Sequence, residues 1–348
     1  MTISLPAKAH FYTFFVALMG GLTLYVFGAP LPFLFGSLGG CLIAAAFGIP
    51  LQGTPLLSIV SRTVLGVAVG ASITWSLLAQ IPALVPTLLL VPVYVAVIAF
   101  AGGQFFHRLL GYDKVTAYYA AMPGALQDMV VFGEEAGGNA RSLSLIHATR
   151  LLLMVTLAPI ILVHYYDADL THALGPPSSD LPIYHIPLIL LIGIAGWKVA
   201  QRLGMFGASV TGPILLAIPL SLAGILSERP SQEMIMVSQF FIGIGIGVYY
   251  QGITASEFRR DILAASGFVV ILMSLAGACM GLTALISDVA PIQRFLAFWP
   301  TGQAEVAILS LAAGANVGVV VIHHLTRIVV VILGAPLAAH FVTRKNDK

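Results

Sequence analysis

Charged side chains are scarce in this chain. Asp, Glu, Lys and Arg make up 9% of its 348 residues, and the formal net charge of +2 is spread along the length. With no basic patch there is no electrostatic footprint for nucleic acid. Cysteine is nearly absent as well. Cys41 and Cys279 both fall in apolar runs, where a small buried hydrophobe is expected rather than a disulfide. The nine histidines form no H-x-H or H-x-x-x-H cluster and no thiolate pair accompanies them, so no metal site, no cofactor and no enzymatic role are expected. No loop is long enough for a DNA-binding or signalling domain.

Hydrophobicity is what the chain does have. Apolar residues make up 59%, mean hydropathy is +0.98, and runs of about 20 apolar residues recur. A soluble fold would need a core larger than this length can enclose, so the sequence reads as an all-α polytopic membrane protein. The run from Phe11 follows Lys8 but precedes no small-residue cleavage site, and it has a counterpart near Ile186. It is expected to be a retained membrane helix.

The chain also repeats itself. Residues 123–159, PGALQDMVVFGEEAGGNARSLSLIHATRLLLMVTLAP, recur 177 positions later as residues 300–336, PTGQAEVAILSLAAGANVGVVVIHHLTRIVVVILGAP. The identities include Pro123/Pro300, Asn139/Asn316, His147/His324, Thr149/Thr326 and Arg150/Arg327, and Asp128/Glu305 keeps a carboxylate. Shared apolar composition would not preserve an amide, an imidazole and a guanidinium. The expected organisation is a first membrane repeat over 1–163, an extracytoplasmic linker over 164–185 and a second repeat over 186–348.

Within the first repeat, helices are predicted over 11–28, 33–48, 56–79, 83–106 and 139–163, with a broken segment over 114–138. The second repeat gives 186–203, 206–226, 234–255, 262–287 and 315–341, with a broken segment over 290–313. Gly66/Gly70 and Gly243/Gly247 are matched small-residue pairs suited to close helix packing. If each broken segment re-enters, every repeat makes five crossings. Ten basic residues then lie in the cytoplasm (Lys8, Arg108, Lys114, Lys198, Arg202, Arg259, Arg260, Arg344, Lys345 and Lys348), against Arg229 and Arg294 outside. An odd number of crossings makes the repeats inverted and puts both termini in the cytoplasm. A full crossing by the broken segment remains the alternative.

Ionisable groups in membrane segments are rare, and they face a partner or an aqueous cavity. At 100° per residue, Asn139, His147 and Arg150 share one helix face, as do Asn316, His324 and Arg327. Pro123 and Pro300, with Gly124 and with Thr301 and Gly302, are expected to start half-helices whose positive ends attract an anion. Asp128 and Glu305 then lie about 7.5 Å along each half-helix, as partners for Arg150 and Arg327 or for a coupling cation. A purely structural ion pair is the bland reading of the same residues. His147 and His324 are expected to titrate near neutral pH. His323, opposite Ile146, is read as incidental, and Arg62, opposite Gln239, as snorkelling to the interface. Gln127, Gln303, Tyr118 and Tyr119 are candidates to line a cavity.

With PLPFLFGSLGG at 30–40, RTVLGVAVGASI at 62–73 and the P-G-x-x-x-[DE] and H-x-x-R blocks, nearly the whole chain resembles the bacterial AbrB-type family of duplicated membrane proteins. That family carries inherited labels that speak of an ammonia monooxygenase and of a regulator. More distantly the breaks are similar to those of bile acid:sodium symporters and cation/proton antiporters. The resemblance implies an inverted-repeat carrier with discontinuous helices at the substrate site. The expected function is therefore a secondary transporter of a small anionic metabolite in the bacterial inner membrane. Its partners are the lipid bilayer, the substrate and a coupling proton or sodium ion, and a homo-oligomer stays open. A membrane sensor or regulator is the alternative, and a monooxygenase the least favoured.

Overall fold

The computed structural model describes residues 5–170, 174–205, 207–226 and 228–343, the side chains of 5–7, 127 and 336–343 excepted. The basic residues Arg344, Lys345 and Lys348 and the Gln127 side chain lie outside the described residues. The described secondary structure is helical. In chain order the helices are α1 Leu5–Val26, α2 Pro32–Ala46, α3 Pro55–Gly70, α4 Trp75–Gln104, α5 Lys114–Ala121, α6 Leu126–Glu135 and α7 Ala140–Tyr166. After the linker come α8 His185–Arg202, α9 Ala208–Leu222, α10 Gln232–Gly247, α11 Ala255–Glu257, α12 Leu263–Ile286, α13 Pro291–Phe298, α14 Gln303–Ala312 and α15 Val317–Thr343. Four pairs, α3/α10, α5/α13, α6/α14 and α7/α15, begin and end 177 positions apart, so the duplication in sequence is a duplication in backbone.

Local chemistry explains the boundaries. Gly28 at φ 66° ends α1, and Pro32 and Pro55 occupy the first turns of α2 and α3, where the missing N–H is no loss. Pro82, Pro86 and Pro92 lie inside α4, which a membrane helix tolerates when neighbours supply the freed carbonyls with donors. Six described helical stretches are long and apolar enough to cross a bilayer: Lys8–Val26, Trp75–Leu109, Ala140–Tyr166, Gln232–Tyr250, Ala255–Ile286 and Val317–Ala335. The 15 or 16 residues of α2, α3 and α9 span only about 23 Å, short of a hydrocarbon core of about 30 Å. Leu89, Val93, Phe100, Val270 and Leu333 are exposed while polar groups are buried, the inside-out distribution of a multi-pass membrane protein.

The chain forms two compact units. The first comprises residues 1–75, 168–254 and 307–314, and holds α1–α3 and α8–α10. Glycine sets its packing. A Cβ on Gly20 would strike the Gly36 backbone, and one on Gly212 the Gly196 backbone. Gly66 and Gly70 lie against Val210 and Ile214 of α9, while Gly243 and Gly247 lie against Leu34 and Leu38 of α2. Each repeat's third helix thus packs on the other repeat's second. The contact numbers rise together, so these pairs run parallel. By contrast Gly53 meets Val248, and Ser58 meets both Gly245 and the Phe241 carbonyl, so α3 runs antiparallel to its own counterpart α10.

The second unit comprises residues 76–167, 255–306 and 315–348. Here α5 packs on α7 and α15, and α13 packs on α15, α12 and α7. Tyr112 and Ser142 both donate to the buried Asp261 carboxylate, at 2.7 and 3.2 Å, joining the loop before α5, the start of α7 and the π-helical turn Phe258–Ile262.

Candidate functional site

Both helix breaks lie in the second unit and both are made by proline. The residue before a proline is pushed out of the helical region, and Met122 and Trp299 adopt ψ 129° and 120°. So Pro123 and Pro300 end α5 and α13. They do not start the following half-helices, which begin three residues later at Leu126 and Gln303. The steric rule on the preceding residue prevails over the preference of proline for a first turn.

Ending a helix inside an apolar protein leaves carbonyls without donors. The long helix after each break supplies them. His147 Nε2 donates to the Tyr119 carbonyl at 3.0 Å, and Arg150 donates to the carbonyls of Met122 and Gly124, both at 2.8 Å. In the second copy His324 Nε2 donates to Leu296 at 2.9 Å, and Arg327 donates to Trp299 at 3.2 Å and Thr301 at 2.6 Å. All three acceptors sit 177 positions from their counterparts. Each cation therefore lies at the negative end of a half-helix, fully enclosed: His147 and His324 are 0% exposed, Arg150 4% and Arg327 5%.

This arrangement changes three expectations. The forked donors of each arginine are filled by backbone carbonyls, where the sequence offered Asp128 and Glu305 as partners for the arginines or for a coupling cation. Asp128 and Glu305 fall in the first turn of α6 and α14, at the positive end of their own half-helix rather than well along it. Glu305 Oε2 occupies the space a Cβ on Gly302 would need, so the carboxylate folds back over the start of its helix and Gly302 makes room for it. Finally, Asn139 and Asn316 are helix caps, accepting from Ser142 N and Val319 N at 3.0 and 3.4 Å. They stand about 16 Å from the arginines by helix rise, and a polar residue at a helix start is a cap before it is a ligand.

His324 is also locked in one form. Its Nδ1 accepts from Arg327 Nη2 at 3.1 Å while Nε2 donates, so a second proton would face a guanidinium. His147 shares the carbonyl bond and leaves Nδ1 buried without a partner.

The two duplicated sets meet. Trp299 Nε1 donates to the Met154 carbonyl of α7 at 2.9 Å, and a Cβ on Gly302 would lie 3.3 Å from Leu151, the neighbour of Arg150. Reciprocally, Tyr118 donates to the Ala335 carbonyl of α15 at 2.7 Å. Tyr94 of α4 donates to Phe298 at 2.9 Å and lies within the field of both arginines. Neither Tyr94 nor Trp299 was marked by the duplication, since neither is repeated. Around the second break Arg327 Nε, Thr301 Oγ1 and Gln303 Nε2 are buried without hydrogen-bond partners; around the first, Arg150 Nε. Among the described residues no three His, Cys, Asp or Glu side chains gather to hold a metal ion.

Comparison with known proteins places these features in context. The pattern of the family described as "Transition state regulatory protein AbrB" matches residues 33–343. A Bacillus subtilis relative, "Uncharacterized protein YhjN", is 28% identical over 286 residues, 72% of this chain and 70% of its own. An Escherichia coli relative, "Putative regulator AbrB", is 20% identical over 322 residues, 92% of each chain.

Proposed function

The chain belongs to the AbrB family, and we propose that it is a secondary transporter. In this reading it moves a small anionic metabolite across the bacterial inner membrane by alternating access, driven by a proton or sodium gradient. The observation that carries the reading is the duplicated, capped helix break with buried donors left over. A buried donor without a partner costs about 1–3 kcal/mol, and Arg150 Nε, Arg327 Nε and Gln303 Nε2 are three of them beside one meeting point. An anionic oxygen is the complementary partner, and Thr301 adds a hydroxyl. Asp128 and Glu305, at the half-helix starts, are the groups we assign to the coupling ion where that ion is sodium.

Inversion of the repeats is supported by the antiparallel run of α3 and α10, as expected for carriers with broken helices at their centre. With it go five crossings per repeat and cytoplasmic termini. We assign no catalytic step to these residues. The name of the E. coli relative favours a second reading, regulation. Since the polar chemistry here is interior, regulation would act through the metabolite moved.

Uptake into proteoliposomes under an imposed pH or sodium gradient, across a panel of labelled mono- and dicarboxylates, phosphates and sugars, tests the reading. Gradient-dependent accumulation of an anion is expected. No flux for any solute from protein that is folded and correctly inserted would sink it.

A further inference from the structure

His323 stands beside the duplicated site but has no counterpart in the first copy, where Ile146 occupies its position. The ring is 1% exposed. Its Nδ1 lies 2.8 Å from the Val319 carbonyl and its Nε2 2.8 Å from the Thr87 hydroxyl, which itself lies 2.8 Å from the Leu84 carbonyl. These three contacts need three hydrogens. Carbonyls only accept, Thr87 carries one hydrogen, and a neutral imidazole carries one more. A neutral ring therefore always leaves one contact empty. With its hydrogen on Nδ1 it bonds Val319, draws the Thr87 hydrogen to Nε2 and releases Leu84. The doubly protonated ring fills all three, and the two states differ by rotation of one hydroxyl.

We infer that His323, with Thr87 as its relay, is a proton-binding site, and, resting on the transporter reading, that it takes up the proton that drives the carrier. The repeat argues against a mere clamp between helices. The residues 177 positions from His323 and Thr87 are Ile146 and Ala264, both buried and apolar, so neither the ring nor the hydroxyl is repeated. His324 is excluded as the acceptor because Arg327 already donates to its second nitrogen; the second nitrogen of His323 faces a carbonyl. The ring is met from two neighbouring helices. From α13, Phe298 meets it edge to face at 5.7 Å. From α4, Tyr94 spends its hydrogen on the Phe298 carbonyl. On α15 itself, His324 and the fixed charge of Arg327 follow, the latter held by carbonyls one turn away.

The test uses full-length protein with 15N-labelled histidine in lipid bilayers. Ring-nitrogen resonances of His323, assigned by their loss in His323→Gln, are followed between about pH 5 and pH 8. The expected result is a change from one protonated ring nitrogen to two as pH falls. In Thr87→Val, which keeps the shape and removes the hydroxyl, that change moves down by about one pH unit, a tenfold weaker proton affinity. A His323 ring that stays neutral throughout, or a midpoint indifferent to Thr87→Val, overturns the site whether or not transport is found. Coupling is read separately, with a pH-sensitive dye inside proteoliposomes. His323→Gln is expected to exchange labelled solute across the membrane without moving protons. Undiminished proton movement in that variant overturns the coupling role. Failure of the wild type to move any solute defeats the transporter reading instead, and the nitrogen signals still decide whether the site exists.

Discussion

Arg150 and Arg327 each do two things with one fork of donors: they fill the carbonyls of a broken helix, and they leave a charge in the interior. Lysine keeps the charge but not the fork. Arg150→Lys and Arg327→Lys should therefore each lower stability by about 1–3 kcal/mol, the cost of one abandoned buried carbonyl, and reduce uptake more than tenfold. Tryptophan-fluorescence melting in detergent, alongside the proteoliposome assay, checks both. A variant as stable as the parent would show that the carbonyls find other donors. Gly302 is a second residue-scale case. Gly302→Ala places a methyl where Glu305 Oε2 now lies, whereas Gly334→Ala, with no atom near its added Cβ, should be silent. Equal melting temperatures for the two variants would count against the folded-back carboxylate.

At the scale of elements, short helices are joined by close backbone approach. Lipid tails are as apolar as leucine, so helices in a bilayer gain little from hydrophobic burial and depend on contact at small residues. Gly66→Val should separate α3 from α9 and cost about 1–3 kcal/mol by overpacking, and Gly243→Val should do the same to α10 on α2. Gly103→Val, facing open space, is the control. Similar losses at Gly66 and Gly243, measured by thermal unfolding, are the signature of the exchanged packing between repeats; a loss at one site alone would contradict it. The matched glycines were plain in the sequence, but their partners were not, because spacing along one helix carries no information about which helix it will meet.

At the scale of the whole molecule the prediction is topological. In a variant lacking Cys41 and Cys279, a cysteine at Ser179 should react with a membrane-impermeant maleimide from outside, and one at Arg108 only after permeabilisation. Labelling of both from one side would defeat the inverted arrangement and, with it, the cytoplasmic placement of the termini. Uptake in intact vesicles then fixes the direction in which the gradient acts.

The sequence by itself determined the membrane class, the 177-residue duplication and the order of the long helices, though α3 and α10 end at Gly70 and Gly247 rather than at the expected 79 and 255, and α1 and α4 start at Leu5 and Trp75, ahead of the expected 11 and 83. Hydropathy, proline and repeated polar residues are local quantities, and a duplication makes each of them visible twice. Only tertiary structure decided what the polar residues touch. The arginines were assigned carboxylates because unlike charges attract, but a helix ended by proline exposes carbonyls at its own severed end, and in an apolar interior the nearest donors must serve them. Asn139 caps its own helix, Glu305 folds over the start of its own, and the unrepeated His323, which the repeat could not mark, carries the three-contact chain.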